Sequence, residues 1–409
     1  MSPALLILNA GSSSLKFAVY RPDATGTPHA QMRGQVDAIG AGARLRVVDK
    51  RGPTDMAITA CDHAQALACA LDWLDAQQSG LDVRAAGHRI VHGGTNYRHP
   101  VRVDAAVLAN LESLVPLSPL HQPHGLAGIH ALARLRPGLP QVACFDTAFH
   151  HTLPPHAWRL ALPREFEARG IRRYGFHGLS YEYIAGVLPE YLGDAADGRV
   201  VVAHLGNGAS LCALRARQSV ETSMSFTPLD GLPMATRCGA LDPGVLLHLL
   251  RAENLSPAEL DDLLHHRAGL FGVSGISGDV RTLLASDTPQ AAEALELFAY
   301  RTAQAIAATR ACGGRAEGAG GTRDVPAAIV MVRIDAVAHA AGHVDAQDQR
   351  VDDLAAAGDG DDKSIVDQSV TMRADGADFS VRNELAGNVL LKRHDRKAPD
   401  VVWYADSGV

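Results

Sequence analysis

At 409 residues the chain exceeds one ordinary core, and a usual domain size of about 150 residues predicts two or three. Apolar residues make up 47% of it and charged residues 20%, the balance of a globular protein. A net charge of -7 argues against a general nucleic-acid or polybasic membrane binder and points to a small ligand.

The first residues, MSPALLILN, form too short an apolar run for a secretory signal, and no run reaches the roughly 20 residues of a membrane span. A cytoplasmic protein with no nucleic-acid or membrane partner is expected. Leu5 to Tyr20, LLILNAGSSSLKFAVY, reads as two strands, Leu5 to Leu8 and Lys16 to Tyr20, about a polar turn. Glycine lets the N–H groups of Asn9 to Ser14 converge on an anion, while hydroxyls and Lys16 add donors. The turn lacks the G-x-x-x-x-G-K-[ST] spacing and opens into a strand, which excludes a Walker or Rossmann loop. Helical spacing over Ala64 to Gln77 precedes a strand at Ala86 to Val91, which runs into GHRIVHGG, where Arg89 stands near glycines. A second helical pattern, Gly125 to Arg136, is closed by Pro137 and Gly138. The strand Gln141 to Phe145 delivers Asp146 to its carboxyl end, the side on which open α/β sheets bind ligands. A capping aspartate is the alternative reading.

His177 follows in RRYGFHGLSYEYI, with Ser180 as a candidate helix N-cap; a buried, hydrogen-bonded histidine is its other reading. RVVVAHLGNGASLCALR, Arg199 to Arg215, then repeats the opening design: a strand at Val200 to Ala203, a turn with Asn and Gly, a Ser-Leu pair and another strand. Either the architecture is duplicated, with a phosphate-sized turn in each half, or two hairpins merely share Gly and Ser. Arg237 in PMATRCGALDP, like Arg89, can grip carboxylate or phosphate with a planar guanidinium, or be structurally paired. Six cysteines without Cys-x-x-Cys spacing read as reduced structural thiols. His88 with His92, His121 with His124, and His150 with His151 raise the question of zinc. On a strand a four-residue gap spans ~13 Å, so the first pair does not converge, and a zinc site is not expected.

Taken together, NAGSSSLK, HRIVHGG, PLSPLHQP, FDTAFH, RRYGFHG, HLGNGAS, SFTPLDGLPMATRCGALDP and SGISGDVR resemble the ordered motifs of the acetate kinase family, over about Leu5 to Arg301. The resemblance implies an α/β protein of two duplicated actin-like (ribonuclease H-like) domains with a nucleotide cleft between them. It implies reversible transfer of the γ-phosphoryl group of ATP to acetate, giving acetyl phosphate and ADP, with Mg²⁺ and a homodimer. Carried over, Asp146, His177 and Arg237 match the catalytic positions, and Arg89 the binder of the substrate carboxylate. Val91, Leu120 and Pro228 match the pocket for the methyl group. Asn9 matches the metal and phosphate position. Lys16 and Ser14, with His204, Leu205, Gly206, Asn207 and Gly208, match the nucleotide-phosphate positions. Asp279, Val280 and Arg281 match the adenosine side.

The pattern also departs from the family. Gln122 stands where Asn is usual, Leu179 and Tyr181 replace a Thr and a His, and Ala240 replaces an acidic residue. After Phe298 to Ala308 the expected G-I-G-E-N turn and Glu-Glu pair are not recognisable, and Asp far outnumbers Glu. Glu384 lacks that Glu-Glu context and is given no metal role. Three regions are expected: 1–150 with the first hairpin, 151–308 with the second, and an atypical tail, 309–409, weakly ordered apart from strands such as Ala327 to Ile334. Its Ala, Gly, Arg and Asp are what GC-rich codons give out of frame, so a shifted reading frame is one origin for it. The alternatives to a working acetate kinase are an impaired relative with a replaced C-terminus, a propionate or short-chain acyl kinase, and an actin-like kinase acting on a hydroxyl group.

Overall fold

The computed structural model describes residues 2–40, 42–77, 80–312, 328–334, 370–374, 377–384, 388–393 and 401–406. The first hairpin is β1 (Ser2–Ala10) with β2 (Leu15–Pro22), and it continues into the antiparallel strands β3 (Pro28–Asp37), β4 (Arg44–Asp49) and β5 (Gly52–Ala57). The parallel strands β6 (Leu81–Ile90) and β8 (Gln141–Phe145) follow, with β7 (Val101–Arg102) at the edge. The sheet order is β5-β4-β3-β2-β1-β6-β8-β7.

In the second half β9 (Arg199–Leu205), β10 (Ala209–Arg215) and β11 (Gln218–Thr222) form the antiparallel part. β12 (Ala328–Ile334) pairs in parallel with β9 and is described where a strand is expected. The strands β13 (Val370–Ala374), β14 (Ala377–Glu384) and β15 (Asn388–Arg393) make a separate sheet, and β16 (Val401–Asp406) pairs in parallel with β12. The second sheet therefore runs β11-β10-β9-β12-β16. It repeats β3-β2-β1-β6-β8 strand for strand, in order and in direction. That repeat excludes two unrelated hairpins and agrees with two actin-like halves. The expectation of weak order for the rest of the tail concerns residues outside those described.

Burial explains the strand sequences. β9 and β10 are covered on both faces, so VVVAHL and ASLCAL are buried almost throughout. The helices His63–Ala76 and Gln122–Leu135 cover the first sheet, with Leu67, Leu71 and Leu132 packed on Leu6, Leu8 and Phe17. The helix Gly178–Leu192 sets Tyr181, Ile184 and Leu188 against Val200, Val202 and Leu214. The long helix Pro289–Cys312 brings Phe298, Ala305 and Ile306 against Phe176, Leu211 and Met234. Cys61, Cys69, Cys144, Cys212 and Cys238 are free thiols.

Register gathers the chemistry at one end. Asn9 pairs with Lys16 across the first hairpin, Leu8 with His88 across β1 and β6, and Ile90 with Phe145 across β6 and β8. Asn9, Lys16, Arg89 and Asp146 therefore all reach the carboxyl edge of the parallel strands.

Gly34 lies opposite Phe17, and a Cβ there would sit 2.2 Å from the Phe17 ring. Gly34→Ala is expected to cost about 1–3 kcal/mol through overpacking; an unchanged urea midpoint would show that the ring moves aside freely. Burial also holds His88, His92 and His150 at a pKa of about 4, below the ordinary 6.5. Their folded pKa lies below the unfolded one, so this stabilisation is complete above about pH 6.5. It is lost as pH falls toward about 4, at up to ~1.4 kcal/mol per pH unit for each group. Urea midpoints measured from about pH 7 down to about pH 4.5 should fall accordingly, and a flat series would contradict buried neutral imidazoles.

Candidate active site

The centre is the pair of Arg89 at the end of β6 and Asp146 just past β8. Asp146 continues the ladder, its N–H donating to the Ile90 carbonyl at 3.0 Å. Arg89 Nη2 donates to Asp146 Oδ2 at 2.6 Å, Nε lies 3.1 Å from both carboxylate oxygens, and Nη1 donates to Asn9 Oδ1 at 3.2 Å. A guanidinium has five N–H groups. These contacts leave one on Nη1 and one on Nη2, a free edge shaped for a second carboxylate or a phosphate.

The second half meets this centre through two glycines. Gly178 N–H donates to the Asp146 carbonyl at 2.8 Å, and a Cβ on Gly178 would lie 2.1 Å from that oxygen. His177, one residue earlier, adopts a left-handed conformation with φ 61°. Its Nδ1 is 2.8 Å from Ser210 Oγ, and its ring stacks on His204 at 3.9 Å between centroids. His204 Nδ1 in turn is 3.1 Å from Ser180 Oγ. The second glycine is Gly208 in the Gly206–Gly208 turn: a Cβ there would lie 3.1 Å from His177 Nε2 and 3.6 Å from Arg237 Nη1. Arg237 Nη1 donates to the Pro228 carbonyl at 3.1 Å.

The electrostatics are those of an anion site. Arg89 is held charged by Asp146. Burial, followed by Arg89, lowers the pKa of both Arg237 and Lys16. His204 is pushed to about 3 by burial and Arg89, and His177 well below its ordinary range by burial, His204, Arg89 and Arg237. His121 falls to about 4, from burial and then Arg237 and Arg89. Three cations thus stand among neutral imidazoles, with the Asp146 carboxylate on Arg89 and Asp37 acting on Lys16, and an incoming anion relieves their mutual repulsion.

The other sequence-derived positions fall nearby. Ser14 closes the first turn, its carbonyl accepting from Gly11 N–H at 2.8 Å, and its Oγ would lie 3.1 Å from a Cβ at Gly11, a tight contact. The Asn207 carbonyl accepts from Ala235 N–H at 3.2 Å, and Gly278 packs on the Ala235 carbonyl, so Asp279, Val280 and Arg281 follow the second turn closely. Asp279 caps the helix Val280–Leu284 and pairs with the Arg281 guanidinium at 2.7 Å. Val91 packs in the cluster of Phe176 and Met234, and Pro228 is buried. Leu120 is the outlier, half-buried in a turn and tied to the site only through its neighbour His121.

Sequence reasoning missed His121 as a site residue, having weighed it only as half of a zinc pair. It also missed Phe176, Tyr181 and His63, and read Ser210 only as the end of the second anion turn, Gly206 to Ser210, rather than as a partner of His177. His63 Nε2 donates to the Gly11 carbonyl at 2.6 Å and so braces the first turn. The adjoining motifs YGFHG and GNGAS were the available signal.

Among the described residues no group of three His, Cys, Asp or Glu is placed to hold a metal. The oxygen donors of the centre are Asn9 Oδ1 and the Asp146 carboxylate, both bonded to Arg89. Such a set fits Mg²⁺ carried on nucleotide phosphates, with water completing its shell, rather than a protein cage.

Comparison with known proteins agrees with this geometry. The sequence profile of the Acetokinase family matches residues 4–358, beyond Arg301 where the quoted motifs end. The chain is 51% identical over 319 residues to an acetate kinase of Rhodopseudomonas palustris, covering 77% of this chain and 80% of the relative. It is 41% identical over 315 residues to an acetate kinase of Clostridium botulinum, covering 74% and 79%. Among solved structures, Porphyromonas gingivalis acetate kinase superposes with a TM-score of 0.70 at 34% identity, covering 81% of this chain and 83% of that one. A propionate kinase from Francisella tularensis superposes with a TM-score of 0.74 at 31% identity, covering 81% and 84%. No described helix is long and apolar enough to cross a membrane. The chain belongs to the acetokinase family, and its two halves have the actin-like α/β fold of that family.

Proposed function

We propose that this chain transfers the γ-phosphoryl group of ATP reversibly to acetate, with Mg²⁺, in a cleft between residues 1–150 and 151–308. The observation that carries the reading is the convergence of Arg89, Arg237, Lys16 and neutral His177 around Asp146, whose carboxylate is already engaged by Arg89.

A carboxylic acid with a solution pKa a little above 4 is ionised near pH 7, so the nucleophile needs no base. The obstacle is repulsion between an anion and a polyphosphate, and charge spreads over the equatorial oxygens during transfer. Arg89 offers the acid its free Nη1 and Nη2 edge, oriented from behind by Asp146 and Asn9. Asp146 acts by fixing that guanidinium. Its oxygens take three close N–H contacts, which makes it a poor base for an alcohol and disfavours a hydroxyl acceptor. Arg237 and His177 Nε2 stabilise the transferring group, and the Gly206–Gly208 turn and Lys16 receive nucleotide phosphates. Asn9 Oδ1 would hold Mg²⁺ alongside those phosphates, and the ion supplies charge neutralisation when bound. Asp279 and Arg281 line the adenosine side.

Val91 and Pro228 form the apolar end for the methyl group, joined by Phe176, which shares the Val91 cluster, and Leu120 would complete it beside His121. One methylene there is worth about 1–3 kcal/mol, so propionate is a slower substrate rather than an excluded one. We further infer a cytoplasmic homodimer, supported by the exposed apolar residues Leu241, Val245 and Leu247 at the helix Pro243–Arg251.

Purified protein should form acyl phosphate from acetate and ATP, trapped as the hydroxamate. Arg237→Ala should lower turnover about a hundredfold or more, roughly 3 kcal/mol, with the urea midpoint little changed. Full turnover in that variant would remove Arg237 from the site, and an inactive parent that binds no nucleotide would favour the impaired relative.

A further inference from the structure

We propose that Tyr181 and Ser210 form a directed hydrogen-bond chain that fixes His177 as the Nε2–H tautomer, aiming its one proton at the phosphoryl site. This rests on the reading of His177 given above and adds two positioning residues to it.

Two contacts set the direction. Ser210 Oγ lies 2.8 Å from His177 Nδ1 and 2.5 Å from the Tyr181 hydroxyl. Tyr181 and Ser210 are fully buried, so each proton must find its acceptor within the protein. The acceptor beside the phenol is Ser210 Oγ, and the phenol sends its proton there. Ser210 has one proton and sends it to the neighbouring acceptor, His177 Nδ1. Nδ1 is then unprotonated, and the ring proton sits on Nε2. That nitrogen faces Gly208 and Arg237, where a Cβ on Gly208 would lie 3.1 Å from Nε2. In the reversed chain Nδ1–H would donate to Ser210 and Ser210 to the phenol, which would strand the buried phenolic proton.

Protonation states support the chain. Burial, with Cys212 nearby, raises the Tyr181 pKa well above its ordinary value, so the phenol stays a donor. Burial and the surrounding cations keep His177 neutral, so the choice is between two tautomers. The departure from the family acquires a meaning here. The usual histidine at position 181 has two tautomers of its own, whereas a phenol has one proton and one direction to send it.

The test is nitrogen-15 NMR of histidine-labelled full-length protein, with the His177 signals identified by their loss in His177→Ala. Protonated Nε2 with unprotonated Nδ1 is expected; a protonated Nδ1 in the unsubstituted protein overturns the proposal without any variant having to fold. Tyr181→Phe keeps the ring packing and removes the hydroxyl. It should give mixed tautomers and lower kcat about tenfold or more, with KM for acetate and ATP changed less than about threefold. Ser210→Thr should retain the single tautomer and Ser210→Ala should lose it, with urea midpoints reported for each. A single Nε2–H tautomer and parental kcat in both Tyr181→Phe and Ser210→Ala would also overturn the chain. His177→Ala separates the two readings: an inactive variant beside unaffected Tyr181 and Ser210 variants defeats only the chain, and an active one defeats the role of His177 itself.

Discussion

The site depends on the ion pair of Arg89 and Asp146. Taking both groups out of water is costly, and the cost is met only when geometry is close to ideal and remaining donors are used. Here the planar fork provides that geometry, Asn9 takes a third donor, and Asp146 is anchored by the Ile90 carbonyl through its N–H and by Gly178 through its own carbonyl. The pair therefore ties β1, β6, β8 and the segment leading into the helix Gly178–Leu192. Its orientation decides which N–H groups remain for a substrate, so structural and chemical constraints on Arg89 are the same constraint.

The seam between the halves is built from absent side chains. Gly178 lets the Asp146 carbonyl approach the first turn of the helix behind His177, and Gly208 lets the Gly206–Gly208 turn approach His177 and Arg237. A methyl group at either place would push these groups apart. Cations and imidazoles repel or desolvate one another across this seam, and the close approaches at Gly178 and Gly208 bring them together. Function here strains local rules, as expected where a ligand completes the packing.

Much of this was legible in the residues. β8 has the expected bounds, the two hairpins are present, and Arg89, Asp146, His177 and Arg237 announced themselves by glycine neighbours and strand ends. The strands β3 and β5 went unread because PHAQMRGQVD and GPTDMA are polar and partly exposed, so neither clear alternation nor an apolar run marks them. β4, RLRVVD, does alternate, with Leu45 and Val47 buried, and was overlooked for its shortness. β6 begins at Leu81, earlier than expected, because LDVRA carries charges on its open side. The roles of His121, Ser210 and Tyr181 escaped for a different reason: each residue acts through a neighbour that is remote in sequence or through the summed field, and periodicity reports neither.

The tail shows how little a topology demands of its strands. Where the family's adenosine motifs are not recognisable, AIVMVRI and VVWYAD still supply the two parallel strands that complete the second sheet beside β9. A strand pairing in parallel needs only a short apolar, β-branched run, which many sequences can offer. A nucleotide turn needs particular residues at particular places. Completion of the sheet therefore protects the VVVAHL edge of β9, and with it the position of His204 and the Gly206–Gly208 turn.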